Sequence, residues 1–350
     1  MTTSLWQLII LSLPFGELFR ITIFDIVRIR LLDVLLVLVF AISYFKNEFE
    51  PTFAHPVWLL LGTLILSVAM NAFTITTPAL YYLFRTILYL QLPIVFEQMK
   101  EEYKKKLIKT LKISFIILIV SGLIQYFVYP DLRNLFYAGY DPHLNRLFGP
   151  LLDPNLMGIL LVWGTWFLFP HLSYLSGVFG LLLTFSRISW GIFIGGILIF
   201  FARQQYIGFL LGFLFIIGIF FIPKQFGEGN NILRVNSINA KVVSWSAGIK
   251  MFSARPLFGI GFNNLELMKG TQSNIPDNSL FGYDSSVLTI LITSGIAGTC
   301  GYLLFMWYLF MKSENRFQKI LVLSFFVHAL STNSFSTPTV FVYFILLYYL

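Results

Sequence analysis

Apolar runs recur along the whole chain and are separated by short polar segments. A helix that crosses a bilayer needs about 20 apolar residues, and fewer where the connecting loops are tight. The runs at 116–119 and 209–215 do not alternate between apolar and polar residues, so helices are predicted rather than strands. The candidate spans are 5–18, 31–44, 57–73, 80–96, 113–128, 155–169, 172–185, 190–201, 206–222, 285–311, 320–328 with an extension, and 338–350. The pattern predicts an all-α polytopic membrane protein with about 12 transmembrane helices.

Composition agrees with the membrane class. Hydrophobic residues make up 57% of the chain and charged residues 11%, whereas soluble domains carry roughly 25% charged residues. We therefore expect one helical membrane domain over 1–350. The net charge of +8 is scattered between the spans, which favours anionic lipid over nucleic acid as a partner. Cys300 is the single cysteine, so neither an intrachain disulfide nor a cysteine-based zinc site is predicted.

The distribution of Lys and Arg predicts the orientation, because cytoplasmic loops carry an excess of these residues. Lysines crowd the segment 100–112, and counting spans from there brings further cations to the same side: Lys46, Arg203, Lys312, Arg316 and Lys319. Both termini are then cytoplasmic, and two substantial loops, 129–154 and 223–284, lie outside. Three arginines disagree with this orientation, namely Arg20, Arg28 and Arg30.

The loop 223–284 is the one large extracytoplasmic segment that the pattern predicts, and we expect it to form a small subdomain. Its stretch 242–252 is amphipathic, with Trp245, Ile249 and Phe252 on one side, and is predicted to be a helix at the membrane interface.

Arg187 is the first candidate for binding an anion. It lies in a tight Ser-Arg-Ile-Ser-Trp turn between two spans, which holds it near membrane depth. An unpaired cation there costs up to roughly 2.5–3.5 kcal/mol on insertion scales, so a bound anion or a structural partner is expected.

Two further arginines open turn-rich segments on the predicted outer side. Arg146 begins an Arg-Leu-Phe-Gly-Pro segment, and Asn155 after it is a plausible helix N-cap, which together make an anion site. The alternative is an ion pair between Arg146 and Asp153 that braces the turn. Arg255 precedes Pro-Leu-Phe-Gly-Ile-Gly, which is weak as a nucleotide motif because no strand precedes it.

Asp284 begins the tenth predicted span. It is interpreted either as the N-cap of that helix or as a carboxylate that orients or deprotonates a hydroxyl group. Asp33 is expected to pair locally with Arg28 or Arg30, and His328 to be a hydrogen-bonded residue of the helix bundle. The remaining candidates for binding an anionic substrate are Arg85, Arg234 and Lys241.

The ordered set of these segments resembles the bacterial O-antigen polymerase and O-antigen ligase superfamily of polytopic membrane glycosyltransferases. The matching segments are Leu-Leu-Asp at 31–33, Arg-Leu-Phe-Gly at 146–149 with Asp-Pro-Asn at 153–155, Phe-Ser-Arg at 185–187, Pro-Leu-Phe-Gly-Ile-Gly at 256–261, and 284–298 with its Gly-x-x-Gly end. One departure concerns the last segment: Asp284-Ser285 stands where ligases of the family carry His-Asn, and Thr293 stands where they usually carry Glu. That difference favours the polymerase branch.

The resemblance implies a metal-independent glycosyltransferase without a cofactor, in the bacterial cytoplasmic membrane, with its active site facing the periplasm or cell exterior. Donor and acceptor are expected to be glycans on undecaprenyl diphosphate, with a flippase and a chain-length regulator as partners. Arg187 and Arg255 are expected to bind the diphosphate with help from Arg146, while Asp284 activates the acceptor hydroxyl. The alternatives are a ligase that transfers the glycan to lipid A core or protein, and a flippase of lipid-linked sugars.

Overall fold

The computed structural model describes residues 2–23, 27–45, 55–138, 140–169, 171, 173–200, 205–221, 235–265 and 283–350. Helices dominate these ranges and coincide closely with the apolar runs. They are α1 (Thr2–Ser12), α2 (Leu31–Phe45), α3 (Val57–Met70), α4 (Thr77–Leu90), α5 (Leu92–Gln98), α6 (Glu101–Val128), α7 (Pro154–Leu168), α8 (Ser173–Leu183), α9 (Arg187–Phe200), α10 (Gln205–Phe221), α11 (Val235–Ala254), α12 (Ser286–Lys312), α13 (Arg316–Ala329) and α14 (Pro338–Tyr349).

Several of these helices have the length and composition of membrane spans. Within the described ranges, the segments Thr77–Gln98, Glu101–Val128 and Ser286–Lys312 are long and apolar enough to cross a bilayer, at 22, 28 and 27 residues. Most of the others are apolar but shorter, at 10–17 residues. The fold is therefore that of a multi-pass helical membrane protein, while the count of 12 spans stays a prediction.

A β-hairpin near the N-terminus corrects the all-α prediction. Strands β1 (Arg20–Ile23) and β2 (Val27–Arg30) pair antiparallel, with Arg20 opposite Arg30. The strands are rich in β-branched residues, which favour the extended backbone. The Arg30 guanidinium also binds the Glu17 carboxylate at 2.6 Å, which ties β2 to the turn before β1.

Helix α6 begins 12 residues before the predicted span at 113–128. The lysine-rich segment that was predicted as a loop continues the helix instead. Glu and Lys are good helix formers, and ion pairs one turn apart support the helix: Glu101 with Lys104 and Glu102 with Lys106.

The predicted span 80–96 is divided into α4 and α5 at Gln91. Pro93 stands in the first turn of α5, where its missing backbone N–H is tolerated, but it cannot donate the hydrogen bond that would continue α4.

Helix α14 lies at the centre of the bundle. Every residue from Pro338 to Tyr348 is buried, and the helix packs on α5, α7 and α13. A helix that is apolar on all sides is typical of a core position. The Tyr343 hydroxyl, deep in this core, shares a hydrogen bond of 2.6 Å with Ser114 of α6.

Helix α11 contains the predicted amphipathic stretch and packs on α12. Trp245 and Phe252 lie against the cluster of Ile260, Leu288 and Ile292, as the pattern predicted. Ile249 does not, and its side chain is 49% exposed. Gly248 takes its place at the contact, because a side chain there would overlap Ile292 of α12.

Candidate active site

A polar cavity of about 500 Å³, called here the main cavity, brings several predicted residues together. Its walls come from the segment before α7, the first turns of α7 and α9, the residue before the α12 cap, and the turn after α13. The lining residues are Asp141, His143, Arg146, Asp153, Asn155, Leu156, Phe185, Arg187, Ile188, Asp284, Ser331, Thr332 and Asn333. Four predicted candidates thus share one volume although they come from separate segments of the chain: Arg146, Asn155, Arg187 and Asp284.

Arg146 is a buried brace between two segments of the cavity wall. Its side chain is only 2% exposed, and Nε donates to the Thr184 carbonyl at 2.9 Å while Nη2 donates to the Phe185 carbonyl at 3.3 Å. Nη1 lies 3.5 Å from Nδ1 of His143. Two N–H groups of the guanidinium therefore bind the turn that leads into Arg187. The same guanidinium contributes positive charge to the main cavity.

The segment after Arg146 is fixed by one side chain of α6. Oε1 of Gln125 accepts hydrogen bonds from the backbone N–H groups of Phe148 at 2.9 Å and Gly149 at 2.8 Å. Gly149 has a φ of 53°, a conformation that glycine adopts without strain. A side chain there would also press on Met157 of α7. The Gly-Pro turn therefore needs its glycine to approach α7.

The N-cap of α7 is Asp153, and the prediction of Asn155 at that position is wrong. Oδ1 of Asp153 accepts hydrogen bonds from the backbone N–H groups of Asn155 at 2.6 Å and Leu156 at 3.1 Å. The sequence Asp-Pro-Asn suits this arrangement, because proline fits the first helical position and the aspartate before it caps. The Asn155 side chain is left to line the main cavity.

Asp153 also belongs to the electrostatics of the cavity. Burial raises the pKa of its carboxyl group above the ordinary value, and the nearby Asp284 raises it further. The two backbone hydrogen bonds and the Arg146 guanidinium oppose that rise. The charge of Arg146 therefore acts on the Asp153 carboxyl group, while an ion pair between the two side chains stays a prediction.

Arg187 is the first residue of α9 and follows a strained turn. Phe185 has a φ of 51°, which is costly for a residue with a side chain. The turn is held by hydrogen bonds around it, including Trp190 Nε1 to the Leu181 carbonyl at 2.9 Å and the pair of Ser186 and Ser189 hydroxyls at 3.0 Å. The guanidinium thus stands beside the N-terminus of a helix, where the backbone N–H groups also favour an anion.

An apolar groove of about 340 Å³ runs between α9 and α13 and begins at Arg187. Its walls are almost entirely apolar, and small residues form its floor: Gly191, Gly195 and Gly196. Side chains added at Gly191 or Gly195 would meet no atom of the protein within 4 Å. Arg187 lines both this groove and the main cavity, so it marks the junction between a polar and an apolar volume.

Asp284 lines the main cavity with an exposed side chain, and it does not cap α12. The N-cap is Ser285, whose hydroxyl accepts from the backbone N–H of Leu288 at 3.2 Å. The interpretation of Asp284 as an N-cap is therefore wrong. The carboxylate has no role in the helix start and is free of that constraint for chemistry in the cavity.

His328 organises the turn after α13, as expected of a bundle residue. The ring is fully buried; Nδ1 lies 2.7 Å from the Thr332 hydroxyl and 2.6 Å from the Ser334 hydroxyl, while Nε2 lies 3.1 Å from the Asn155 carbonyl. This ring joins the start of α7 to the turn that contributes residues 331–333 to the main cavity.

Sequence reasoning missed several residues of the cavity. Asp141, His143 and Asn333 are single polar residues in irregular segments, and no spacing connects them to the motifs. The only signal was their place in segments that the orientation puts on the same side as Arg146. Among the described residues, no group of three or more His, Cys, Asp or Glu lies together in a way that could hold a metal ion.

Arg255 lies away from the main cavity. Its Nη1 donates to the amide oxygen of Asn71, next to α3. The loop that it opens packs against a break in α12 at Gly295: the N–H of Ile296 donates to the Pro256 carbonyl at 2.8 Å, and the N–H of Ile260 donates to the Ile292 carbonyl at 3.2 Å. In this structure the Pro-Leu-Phe-Gly-Ile-Gly motif serves to satisfy the backbone of the broken helix.

Arg85 lines a different, smaller cavity. Its Nε lies 3.2 Å from Oδ1 of Asp33, so the charged partner of Asp33 is Arg85 rather than the side chain of Arg28 or Arg30. Arg30 contributes its backbone N–H to Asp33, at 2.8 Å, and the charge of its guanidinium also acts on that carboxylate. The predicted residue Arg234 and the side chain of Lys241 lie outside the described part of the chain.

Comparison with known proteins supports the resemblance that the motifs indicated. A family model described as O-antigen ligase matches residues 172–303, a span that includes Arg187, Arg255 and Asp284. No curated protein matches the chain. Residues 172–303 are therefore similar to the O-antigen ligase family, in agreement with the resemblance to the O-antigen ligase and polymerase superfamily.

Proposed function

We propose that the protein polymerises lipid-linked oligosaccharide repeat units into a surface polysaccharide, by glycosyl transfer from undecaprenyl diphosphate on the outer leaflet. The family match supports the coarser statement, a glycosyl-transferring membrane enzyme of the O-antigen ligase and polymerase type. The observation that carries the finer proposal is the position of Arg187, which lines both the main cavity and the apolar groove. A lipid-linked glycan needs a cation at the point where its lipid ends and its sugars begin.

The donor fits the two volumes in a simple way. Its isoprenoid chain would lie along the apolar groove between α9 and α13, and its glycan would occupy the main cavity. The diphosphate between them would meet Arg187 and the N–H groups at the start of α9. A guanidinium suits phosphate oxygens because its N–H groups form a planar fork. Arg146 would act mainly as a positioning residue, because it holds the carbonyls of Thr184 and Phe185.

The proposed transfer step needs no group beyond the two substrates and the residues of the main cavity. A hydroxyl oxygen of the acceptor sugar attacks the anomeric carbon of the donor and forms the new glycosidic bond. The bond between that carbon and the diphosphate oxygen breaks, and the diphosphate leaves with the electron pair. The hydroxyl proton passes to the Asp284 carboxylate. Attack from the face opposite the diphosphate inverts the configuration, and Arg187 stabilises the charge that develops on the leaving group.

The support for a polymerase over a ligase is the residue before the α12 cap. Asp284-Ser285 stands where the resemblance places His-Asn in ligases. A ligase remains the second candidate for a specific reason: His143 lines the main cavity and lies beside Arg146, so a histidine is present there from another segment. Asp141, His143 and Asp284 are the three proton acceptors to be separated by experiment, besides the helix cap Asp153.

The proposed location is the bacterial cytoplasmic membrane, with the main cavity facing the periplasm or cell exterior. The support is that the cavity is built from segments 141–155, 185–188, 284 and 331–333, all of which the positive-inside rule assigns to the outer side. A flippase that supplies the substrates and a chain-length regulator are proposed partners on the strength of the family alone.

The test is the profile of lipid-linked and surface glycans in a deletion strain that carries the wild-type protein, Arg187→Gln or Arg316→Gln. Arg316 is a matched control because it is also the first residue of a helix but is exposed. We expect Arg187→Gln to leave single repeats without long chains, as in the deletion, and Arg316→Gln to restore polymer. Long chains that accumulate on undecaprenyl diphosphate in the deletion would instead establish a ligase. Normal polymer with Arg187→Gln would exclude the diphosphate role.

A further inference from the structure

A second cavity, called here the arginine cavity, takes part of its lining from the same turn after α13 as the main cavity. It has a volume of about 50 Å³. Residues 331–333 line the main cavity, and Phe335, Ser336 and Pro338 of the same segment line the arginine cavity. The other walls come from α4 and from the loop after α11: Tyr82, Arg85, Thr86, Tyr89, Leu90, Phe262, Asn263 and Phe341.

Arg85 has hydrogen-bonding capacity that its surroundings do not use. The side chain is 6% exposed, and its Nη2 has no hydrogen-bond acceptor among the described residues. The one carboxylate beside it, Asp33, also accepts from the hydroxyl of Tyr89 at 2.7 Å, the hydroxyl of Tyr81 at 3.2 Å and the backbone N–H of Arg30 at 2.8 Å. Asp33 therefore divides its lone pairs among several donors, and a buried guanidinium is left short of acceptors.

Among the described residues near Arg85 and its partner Asp33, guanidinium groups outnumber carboxylates. The guanidinium groups are those of Arg20, Arg28, Arg30 and Arg85, and the carboxylates are those of Glu17 and Asp33. Burial and the charge of Arg20 lower the pKa of Arg28, which indicates mutual repulsion within this group. An anion that binds beside Arg85 would therefore be attracted by the neighbouring guanidinium groups as well as by that of Arg85.

We propose that the arginine cavity binds the carboxylate of an acidic sugar on the acceptor glycan. This inference rests on the proposed function, because it names the substrate class of the same enzyme. The volume suits one small planar anionic group and is too small for a diphosphate with its sugars, for which the main cavity is ten times larger. A carboxylate matches the planar fork of a guanidinium, and Thr86, Asn263 and Ser336 of the same lining are further hydrogen-bonding groups for a sugar.

The acidic sugar is assigned to the acceptor because one turn contributes residues to both cavities. The main cavity is assigned to the donor diphosphate and to Asp284. A glycan whose hydroxyl is placed at Asp284 can extend past the segment 331–338, and its next acidic residue then meets Arg85. The arginine cavity thereby selects acceptors that carry a carboxylate, and neutral repeats bind less tightly.

The experiment uses the purified full-length protein in detergent, with methyl glucuronide as the probe and methyl glucoside as its neutral counterpart. We expect the glucuronide to bind roughly tenfold more tightly, as measured by titration calorimetry or by the shift in thermal unfolding. Ser336 is exposed at the rim of the cavity, so Ser336→Glu adds a repelling charge there, and Ser336→Gln has nearly the same shape without the charge. Ser336→Glu should remove the preference for the glucuronide, and Ser336→Gln should keep most of it.

A second variant removes the attraction without leaving a lone buried charge. Asp33→Asn combined with Arg85→Gln neutralises both members of the ion pair, and should abolish the preference. Equal affinity for the two sugars in the wild-type protein would overturn the inference, as would a preference that survives in Ser336→Glu. Inorganic phosphate that displaces the glucuronide at equal concentration would indicate a site for free anions and would overturn it as well.

The binding assay separates this inference from the proposed function. Loss of polymer with Arg187→Gln together with equal binding of the two sugars would leave the polymerase standing and remove the second site. A glucuronide preference in the wild-type protein, together with long chains that accumulate on undecaprenyl diphosphate in the deletion strain, would keep the second site and remove the polymerase.

Discussion

Gly259 and Gly295 both have a positive φ, 65° and 64°, and they lie on two segments that are hydrogen-bonded to each other. Gly295 breaks α12, and Gly259 turns the loop that covers the break. A side chain on Gly259 would overlap the backbone of Thr293, and one on Gly295 would overlap the Leu257 carbonyl. Because neither glycine carries a side chain, the loop and the broken helix approach closely enough for their backbones to form hydrogen bonds.

Gly295→Ala should destabilise the protein strongly. The backbone at Gly295, with φ 64° and ψ −160°, lies in a region that is essentially confined to glycine and costs about 1–3 kcal/mol for other residues. Overlap with Leu257 adds to that cost. Gly62→Ala is the control, because Gly62 lies in α3 with open space around it, and a helical alanine is favoured there by about 1 kcal/mol. The midpoint of thermal unfolding in detergent should decrease strongly for Gly295→Ala alone. Equal midpoints for the two variants would contradict a structural role for Gly295 at the contact with the loop.

Asp284→Asn should abolish activity and leave stability unchanged, whereas Ser285→Ala should reduce stability and leave activity intact. Asp284 lines the main cavity without capping α12, so its amide variant should unfold at the wild-type temperature while polymer is lost. Ser285 is the cap, and its loss should cost about 1 kcal/mol of stability with polymer still made. The measurements are thermal unfolding and the gel profile of the polysaccharide. A fully active Asp284→Asn would move the search for the base to Asp141 or His143.

Gly195→Leu should block the apolar groove without disturbing the fold. An added side chain at Gly195 points into open space within the groove, so the protein has no atom to resist it. If the groove holds the isoprenoid chain, polymer synthesis should fall at least tenfold, which corresponds to about 1.4 kcal/mol of lost binding. Gly62→Leu on α3 is the matched control, since it also faces open space but lies outside the groove. Equal polymer from both variants would exclude the groove as the lipid site.

His55 should make stability depend on pH at the end of the bundle where α3 begins. Burial is the main cause that lowers the pKa of His55 from 6.5 to about 4; the charge of Glu97 opposes this fall, and the charge of Lys312 contributes to it. The unfolded chain therefore takes up a proton below pH 6.5 that the folded protein does not, and stability is lost as the pH falls from 6.5 toward 4. Nδ1 of His55 accepts from the Val57 N–H, a bond that His55→Asn can keep. The unfolding temperature of the variant should fall less between pH 7 and 5 than that of the wild type, and parallel curves would contradict the assignment.

The helices could be predicted from the sequence because each apolar run is long and is bounded by turn residues. The N-terminal hairpin could not, because four-residue strands with alternating arginines resemble a polar loop. The lysine-rich start of α6 was read as a loop since its charge obscured its helix propensity.

The main cavity could be predicted in part. Arg146, Arg187 and Asp284 stand at the ends of predicted spans on one side, and orientation alone brings such ends together. Arg255 satisfies the same rule, yet its partner Asn71 lies 184 positions away, and nothing in the local pattern reveals that contact. The caps of α7 and α12 were each misplaced by one or two residues, because Asp, Asn and Ser are all good N-caps and only the backbone angles distinguish them.

The turn held by His328 contributes residues to both proposed binding sites, the main cavity and the arginine cavity. Residues 331–333 line the main cavity, and residues 335, 336 and 338 line the arginine cavity; the His328 ring fixes the turn through Thr332 and Ser334. If a ligand in one cavity shifts this turn, the affinity of the other cavity for its ligand changes. Thermodynamic linkage then requires the second ligand to change the affinity for the first by the same factor. Loading of donor and acceptor would then be cooperative, and the enzyme would sense through one turn whether both of its substrates are in place.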